Sequence, residues 1–531
     1  MPKDLTRCDW PIIYVRGYAM SRGEIDETTA DPFCGFNLGS TVMRARPDKK
    51  EPPKKFIFES PVVRLQSDFG YGDIYEDGVD IGDPDWSGGI ARRSIIIYRY
   101  YDEASTLLGS GETPKIETFA TGLSDLILSV RDRVCSVPEN KTKPGDFRCY
   151  LVAHSMGGLV CRAFLQNPLL GKDEARNCVD KYFTYATPHN GIDVVGVNVP
   201  EWLSKNDISN FSRDRMKDYL DLAAQYQKTQ RVDWIPDSRF DPQRVFCMVG
   251  TNRSDYEAAA GLSRAFVGHG SDGLVRIENA SVWGMDAQGK VSEPCATAYA
   301  YRSHSGRYGI VNSEESYQNL VRFLFGDVRI DLWLDIDDVL VPEALKADDT
   351  AGKVDALYQF EVLAAPRGKR WFLTRRVSEE DSVACRRHLD LRDPTKPEAK
   401  KVYLSTIFLA NKWRVNEDDP SLSYGMVIGV RAPDYEVEKR FWPNGHYEGQ
   451  ALFRDALTIV MIPPKTARGT WKVKYGWESS DVAQAYTDID TEKLDKGRVE
   501  VTIPFASNDV HPPRSPGITG ALRFVISLWN R

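Results

Sequence analysis

A chain of 531 residues is too long for one ordinary hydrophobic core, so two domains are the starting expectation. With 42% hydrophobic and 27% charged residues it reads as globular rather than disordered. A net charge of −7 supplies no basic face, which excludes nucleic acid as a partner. The nine cysteines are scattered and include no Cys-x-x-Cys pair, which points to free thiols, without a disulfide frame or a zinc site. No apolar run approaches a membrane span, and Met1–Asp9 lacks the pattern of a signal peptide. A cytoplasmic protein is therefore expected, with leaderless secretion left open.

In chain order, Pro11-Ile12-Ile13-Tyr14-Val15 has the composition of a short buried strand and leads into Arg16-Gly17-Tyr18. The stretch from about Ser21 to Gly89 is irregular and carries the basic tract Lys49–Lys55, read as a solvated loop. A second strand is expected at Ser94–Tyr100. Leu123, Leu126, Ile127, Val130 and Val134 then recur at helical spacing between Lys115 and Ser136. Phe147–Ala153 reads as a third strand, running into Ser155 and a helix that contains Leu159–Leu165. Strands are expected again at Val179–Ala186 and Gln243–Gly250. Between them an amphipathic helix is expected from Arg213 to Lys228, with Met216, Leu220 and Ala223 on one face. Tyr299–Tyr301 precedes His304, and Ser313–Phe325 makes a last helix. Strands alternating with helices imply a mainly parallel sheet covered on both faces.

After Gly326 the period changes to two. Ile330, Leu332, Leu334 and Ile336 alternate with Asp331, Trp333, Asp335 and Asp337. Strand-like runs follow at Lys400–Leu409, Gly425–Val430, Leu457–Ile462, Trp471–Trp477, Val499–Phe505 and Leu522–Trp529. The expected organisation is an α/β domain over 1–326 and an all-β, sandwich-like domain over 327–531. Asp335, Asp337 and Asp338 read as a solvated strand face, because so few carboxylates do not meet the six to eight oxygens Ca²⁺ takes.

The chemistry gathers at Cys149–Gly158. A strand that turns sharply into a helix with Ser155 at the apex has the grammar of a nucleophile elbow, which needs small residues two before and two after the serine. Ala153 and Gly157 meet that need. A serine hydroxyl requires a histidine to take its proton and a carboxylate to hold that histidine, in the chain order Ser, acid, His on such a fold. Of the histidines before residue 326, His154 adjoins the nucleophile and is expected to point away from it, and His189 precedes the acid. His269 shares a loop with the acid, which leaves His304 as the base. Asp272, followed by Gly273 in a tight loop, is the acid, with Asp193, Asp255 and Asp286 as rivals in less favourable contexts. The oxyanion donors are the Met156 N–H, at the start of the helix, and the Tyr18 N–H, after Arg16-Gly17.

Together these stretches resemble a known family. Val152–Gly158 resembles the GHSMGG elbow of α/β-hydrolase lipases and esterases. Ala186-Thr187-Pro188-His189-Asn190-Gly191 resembles their TPH-x-G turn, Asp272-Gly273-Leu274-Val275 their acid loop, and Val15-Arg16-Gly17-Tyr18 their oxyanion stretch. The branch it is most similar to is that of GPI inositol-deacylase-like and related bacterial lipase-like proteins, over residues 10–326. Arg16 stands where that family has His, and Ala153 replaces the first elbow Gly. The resemblance implies an α/β-hydrolase fold and ester hydrolysis through an acyl-enzyme; some lipases of the wider group bind Ca²⁺ or Zn²⁺, but the sequence holds no matching ligand set, and neither cofactor nor metal is expected. The resemblance also implies a structural or lid-anchoring place for His189 near the site and a lid over 191–240, with Trp202 and Trp234 closing an acyl pocket; an ordinary packed surface helix is the equal alternative.

The resulting expectation is a serine carboxylester hydrolase acting on a lipid or another carboxylic ester, with transient contact at a membrane surface. An acyltransferase with the same triad and a silent hydrolase-fold binding protein are the alternatives.

Overall fold

The computed structural model describes residues 9–17, 36, 40–44, 54–58, 60–74, 88–100, 115–194, 197–198, 210–253, 270–305, 309–369, 371–414, 416, 418–437, 445–464, 466, 469–479, 486–507 and 515–530. It divides into two compact units, 1–297 with 301–320, and 298–300 with 321–531. The break falls a few residues before the boundary at 326 expected from the change of period.

The first unit is built on β1 (Ile12–Val15), α1 (Pro61–Phe69), β2 (Gly72–Asp73), β3 (Ser94–Tyr98), α2 (Ile116–Cys135), β4 (Cys149–His154), α3 (Met156–Gln166), β5 (Val179–Tyr185), α4 (Arg213–Tyr219), α5 (Ala223–Thr229), β6 (Val245–Gly250), and the first parts of β7 (Ala296–Ala300) and α6 (Glu314–Phe325), whose residues 298–300 and 321–325 belong to the second unit. Its seven-stranded sheet has the order β7-β6-β5-β4-β1-β3-β2. Every pairing from β6 across to β2 is parallel. Both faces are buried, as the run of apolar residues in each strand requires. On one face Ile13, Val15, Leu151, Ala153, Val245 and Cys247 join a core with Phe119, Leu123 and Ile127 of α2 and Leu159 and Phe164 of α3. On the other, Ile12, Tyr14, Tyr150, Val152, Phe246 and Met248 are no more than 1% exposed. Each such apolar side chain contributes about 1.5–3 kcal/mol by leaving water. This is the α/β-hydrolase arrangement, and it delivers the carboxyl ends of β4, β5 and β6 to one edge of the sheet.

The expected helix from Arg213 to Lys228 is two helices. Asp221 takes φ +55° between α4 and α5, and Leu222 N–H donates to Lys217 O to close the first. Met216 and Leu220 are buried, but Ala223 is exposed. Leu220 and Leu222 both enter the core, and residues two apart cannot share a helical face. With Tyr219, Val232, Ile235 and Phe240 they belong to the central apolar cluster. These apolar side chains of 191–240 join the core, whereas Trp202 lies outside the described residues.

The second unit comprises β8 (Val328–Leu340), β9 (Val354–Pro366), β10 (Thr374–Arg376), β11 (Ala384–Arg387), β12 (Lys401–Leu409), β13 (Leu422–Val437), β14 (Gly445–Ile462), β15 (Lys472–Trp477), β16 (Thr487–Ile489), β17 (Glu492–Lys493), β18 (Val499–Ala506) and β19 (Gly517–Leu528). One sheet runs β12-β8-β19-β18-β17, the other β10-β9-β13-β14-β15-β16 with β11 beside β9. The pairings are antiparallel. Leu332 and Leu334 from the first sheet share one core with Tyr358, Phe360, Ile428 and Leu457 from the second. Of Asp335, Asp337 and Asp338 on β8, two are engaged in ion pairs, Asp335 with Arg523 and Asp338 with Arg392, and Asp337 is exposed. No helix among the described residues is long and apolar enough to cross a membrane.

Candidate active site

Ser155 sits where β4 becomes α3, at φ 52° and ψ −126°. A non-glycine residue there stores roughly 1–3 kcal/mol of backbone strain, which the surroundings must hold in place. They do so from three sides. Ser155 N–H donates to Tyr185 O at 2.9 Å. Its carbonyl accepts from Thr187 Oγ1 and from Gly158 N–H, each at 3.0 Å. A Cβ at Gly157 would stand 2.1 Å from Val15 O and 2.4 Å from Arg16 O, backbone atoms of β1 and its exit. Glycine is obligatory at that position, whereas Ala153 packs its methyl into the core. A Cβ at Gly17 would lie 2.4 Å from Ser155 Cβ, so the Arg16-Gly17 turn presses directly on the nucleophile. That turn is tied down by Tyr100, whose hydroxyl donates to Arg16 O at 2.6 Å.

His304 follows β7 and faces both partners. Its Nδ1 lies 2.9 Å from Asp272 Oδ2 and its Nε2 lies 2.9 Å from Ser155 Oγ. The carboxylate accepts the Nδ1–H, which leaves the Nε2 lone pair to accept the serine proton. The other carboxylate oxygen, Asp272 Oδ1, accepts from Leu274 N–H (3.0 Å) and Val275 N–H (2.7 Å). Gly273, at φ +101°, supplies the turn that aims these amides inward. Asp272 O also accepts from His304 N–H at 2.9 Å, locking the two loops together. Space for Asp272 comes from Gly250 at the end of β6, where a Cβ would meet Asp272 Cβ at 2.8 Å. Ser155, Asp272 and His304 are 5%, 1% and 3% exposed, so their bonds are little screened by water.

Of the rival acids, Asp193 is committed to Arg213 and Asn279. Asp286 caps a turn through Gln288 N–H and Lys290 N–H. Asp255, His269 and Tyr18 lie outside the described residues. Met156 stands at the first position of α3, where an N–H has no acceptor in a preceding helical turn and the helix dipole is positive.

His154 does not point away from the site. Its Nε2 lies 2.8 Å from His304 O, and the two rings are 5.1 Å apart. Burial, with the neighbouring His304 and Arg16 adding to it, holds the His154 pKa well below the ordinary value. A neutral ring of this tautomer donates Nε2–H to that carbonyl and so fixes the backbone of His304. Adjacency to the serine was the only sequence signal for this role. Replacing His154 by Phe keeps a ring but removes its hydrogen bond to the His304 carbonyl, worth about 0.5–1.5 kcal/mol. Turnover is expected to fall by up to about tenfold with KM little changed, and His154→Gln, which retains an N–H donor, should recover most of it. Steady-state kinetics of the two variants checks this.

His189 is fully buried beneath the serine turn. The Thr184 hydroxyl donates to Phe246 O, so Thr184 Oγ1 accepts from His189 Nε2–H at 3.2 Å. Burial, and then Arg162, lower its pKa well below the usual value. Arg162 of α3 is itself fully buried and lowered by burial. Its Nη1 donates to His189 O at 2.8 Å, and Nη2 donates to Trp234 O at 2.7 Å and to Val232 O. This guanidinium ties the segment around residues 232–234 to the helix behind the nucleophile. Among the described residues no group of three or more His, Cys, Asp or Glu is placed to hold a metal ion.

The two buried neutral histidines carry a pH signature. With native pKa values depressed below the unfolded value of about 6.5, their contribution is complete above that pH and is lost as pH falls below it. Each removes up to about 1.4 kcal/mol per pH unit through that window. The urea midpoint is expected to drop between about pH 7.5 and 5, and equal midpoints would mean that the rings are protonated as easily in the folded chain.

No protein-family model matches the chain, and no curated protein sequence matches it. Among solved structures it is similar to the gene lin2722 product of Listeria innocua, at 12% identity over 60% of this chain and 94% of that one, with a TM-score of 0.26. It is similar to the lipase BlEst2 of Bacillus licheniformis at 14% identity over 59% and 91% (TM-score 0.27). It is also similar to phospholipase PlaB of Legionella pneumophila at 12% identity over 84% and 89% (TM-score 0.31). At such distances the chemistry rests on the topology and geometry of this chain itself.

Proposed function

We propose that this chain is a serine carboxylester hydrolase. The observation that carries the reading is the continuous relay from Ser155 Oγ through His304 to Asp272, with both links at 2.9 Å, built on a strained turn at a helix N-terminus. Ser155 Oγ attacks the acyl carbonyl as its proton passes to His304 Nε2. The tetrahedral oxyanion is held by the Met156 N–H and, from the Arg16-Gly17 exit, by the Tyr18 N–H. Collapse breaks the ester C–O bond, and His304 returns the proton to the departing alcohol. Water, deprotonated by His304, then releases the acid and regenerates Ser155. Asp272 stays ionised throughout and stabilises the imidazolium.

The substrate class we infer is a lipid ester or a related carboxylic ester, with phospholipid or glyceride first. The four motifs shared with lipases support it, and the narrower likeness to inositol deacylases rests on the same motifs. Hydrolysis of p-nitrophenyl acetate, octanoate and palmitate tests the class. Activity rising with chain length supports a lipid ester. Activity confined to acetate makes the enzyme a short-chain esterase, and no hydrolysis of any of them, with no labelling by a fluorophosphonate, overturns the reading.

A further inference from the structure

The second unit carries a cleft of about 460 Å³, within the size range of small-molecule sites. All of its described lining belongs to that unit. Among the described residues its walls bear Arg322, Arg367, Arg414 and Lys474 and one carboxylate, Asp419. That excess of cations contrasts with a chain whose net charge is −7.

Two of the cations, Arg322 and Arg414, are held in place by the fold, and Arg367 and Lys474 are exposed. Arg322 is 2% exposed and lies over the rings of Trp413 (4.4 Å) and Trp371 (5.6 Å). Arg414 donates to Asn411 O and Asp419 O, carbonyls that position the guanidinium without neutralising it. Arg367 reaches Tyr486 Oη at 3.5 Å. The Asp419 carboxylate is turned to its own loop, accepting from Ser421 N–H at 2.9 Å, an interaction that lowers its pKa. Lys474 meets Asp488 at 3.5 Å, but both are exposed, and such pairs hold their partners weakly. Leu409, Leu422 and Val460 beside Trp413 give the wall an apolar part, next to the polar Asn416, Ser421 and Ser423.

We propose that this cleft binds an organic phosphate, its anionic head on the guanidinium groups and its carbon body on the Leu409–Trp413 wall. Among the described residues the Arg367 and Arg414 forks meet only neutral oxygens, Tyr486 Oη and the carbonyls of Asn411 and Asp419, and a phosphate, with up to three terminal oxygens, matches them and the exposed Lys474 ammonium. A bare phosphate would leave the apolar wall uncovered. The same head group occurs on soluble phosphate esters and on anionic phospholipids, and the two sources separate by experiment.

The full chain is titrated calorimetrically with phenyl phosphate and with phenol, and is floated with phosphatidylcholine vesicles with and without phosphatidylglycerol. Phenyl phosphate is expected to bind and phenol not. In the double variant Arg367→Gln, Arg414→Gln, affinity is expected to fall about tenfold or more while p-nitrophenyl ester hydrolysis is unchanged. Lys474→Gln, an exposed position, gives a smaller loss and guards against a misfolded double variant; Lys353→Gln, outside the cleft, gives none. Binding of phenyl phosphate alone identifies a soluble ester. Cleft-dependent binding to phosphatidylglycerol vesicles identifies a lipid head group. Absence of binding by both probes, or binding that the cleft variants leave intact, overturns the proposal.

Discussion

Ser155→Ala is expected to lower kcat on p-nitrophenyl esters by roughly 10⁴- to 10⁶-fold, because serine and histidine act as one unit and neither does chemistry alone. Stability should hardly change. Alanine tolerates the φ of 52° about as well as serine does, and the removed hydroxyl makes one hydrogen bond, to His304. The net loss is about 1 kcal/mol, the worth of one ordinary hydrogen bond. A folded, inactive variant therefore separates chemistry from architecture. The double variant Ser155→Ala, His304→Ala should be no slower than either single one, since the relay is already broken. Activity within tenfold of the parent in Ser155→Ala would sink the assignment outright.

The strain at Ser155 explains why the elbow could be read from sequence. A left-handed serine between a strand and a helix forces contacts with the residues two away, so the requirement for small side chains is written within five positions. The acid and base are harder, being fixed by chain order and loop grammar. Asp272 was legible because Gly273 follows it; its space, made by Gly250 some twenty residues upstream, was not. For His154 only its adjacency to Ser155 was legible, since the ring direction depends on where residue 304 arrives in space. The same holds for the break after α4. Met216 and Leu220 fit a helical period, but Leu222 is buried as well, and burial of both positions 220 and 222 is a tertiary demand.

In the second unit, the period-two runs announced most of the strands but missed β9, one of the long strands of its sheet. Its sequence, Val-Asp-Ala-Leu-Tyr-Gln-Phe-Glu-Val-Leu-Ala-Ala-Pro, mixes alanine, glutamine and glutamate into the pattern, and these are residues of low strand propensity. What holds it in the sheet is pairing on both sides, with β13 along most of its length and with β10 and β11 on the other edge. Local preference yields there to neighbours that no local window contains.

Asp272→Asn is expected to cost about 10⁴-fold in kcat while leaving the fold in place. The reason lies in the two amides on the far side of the carboxylate. Leu274 N–H and Val275 N–H both donate to Oδ1, at 3.0 and 2.7 Å. An asparagine must therefore turn its carbonyl oxygen to them, because an amide NH₂ there would set donor against donor. Its NH₂ then faces His304 Nδ1, which lies 2.9 Å from Oδ2 in the parent. A donor at that position selects the imidazole with its lone pair on Nδ1 and its proton on Nε2. The Nε2–H points at Ser155 Oγ and cannot accept the serine proton. The variant keeps its shape but holds the base in the wrong tautomer. At high pH, hydroxide can take over proton removal from the serine, so its residual activity should keep rising with pH where the parent's levels off. A pH–rate profile of the purified variant, beside its unfolding midpoint, checks both halves. Retention of more than a tenth of the parent kcat would mean that Asp272 does not hold the base.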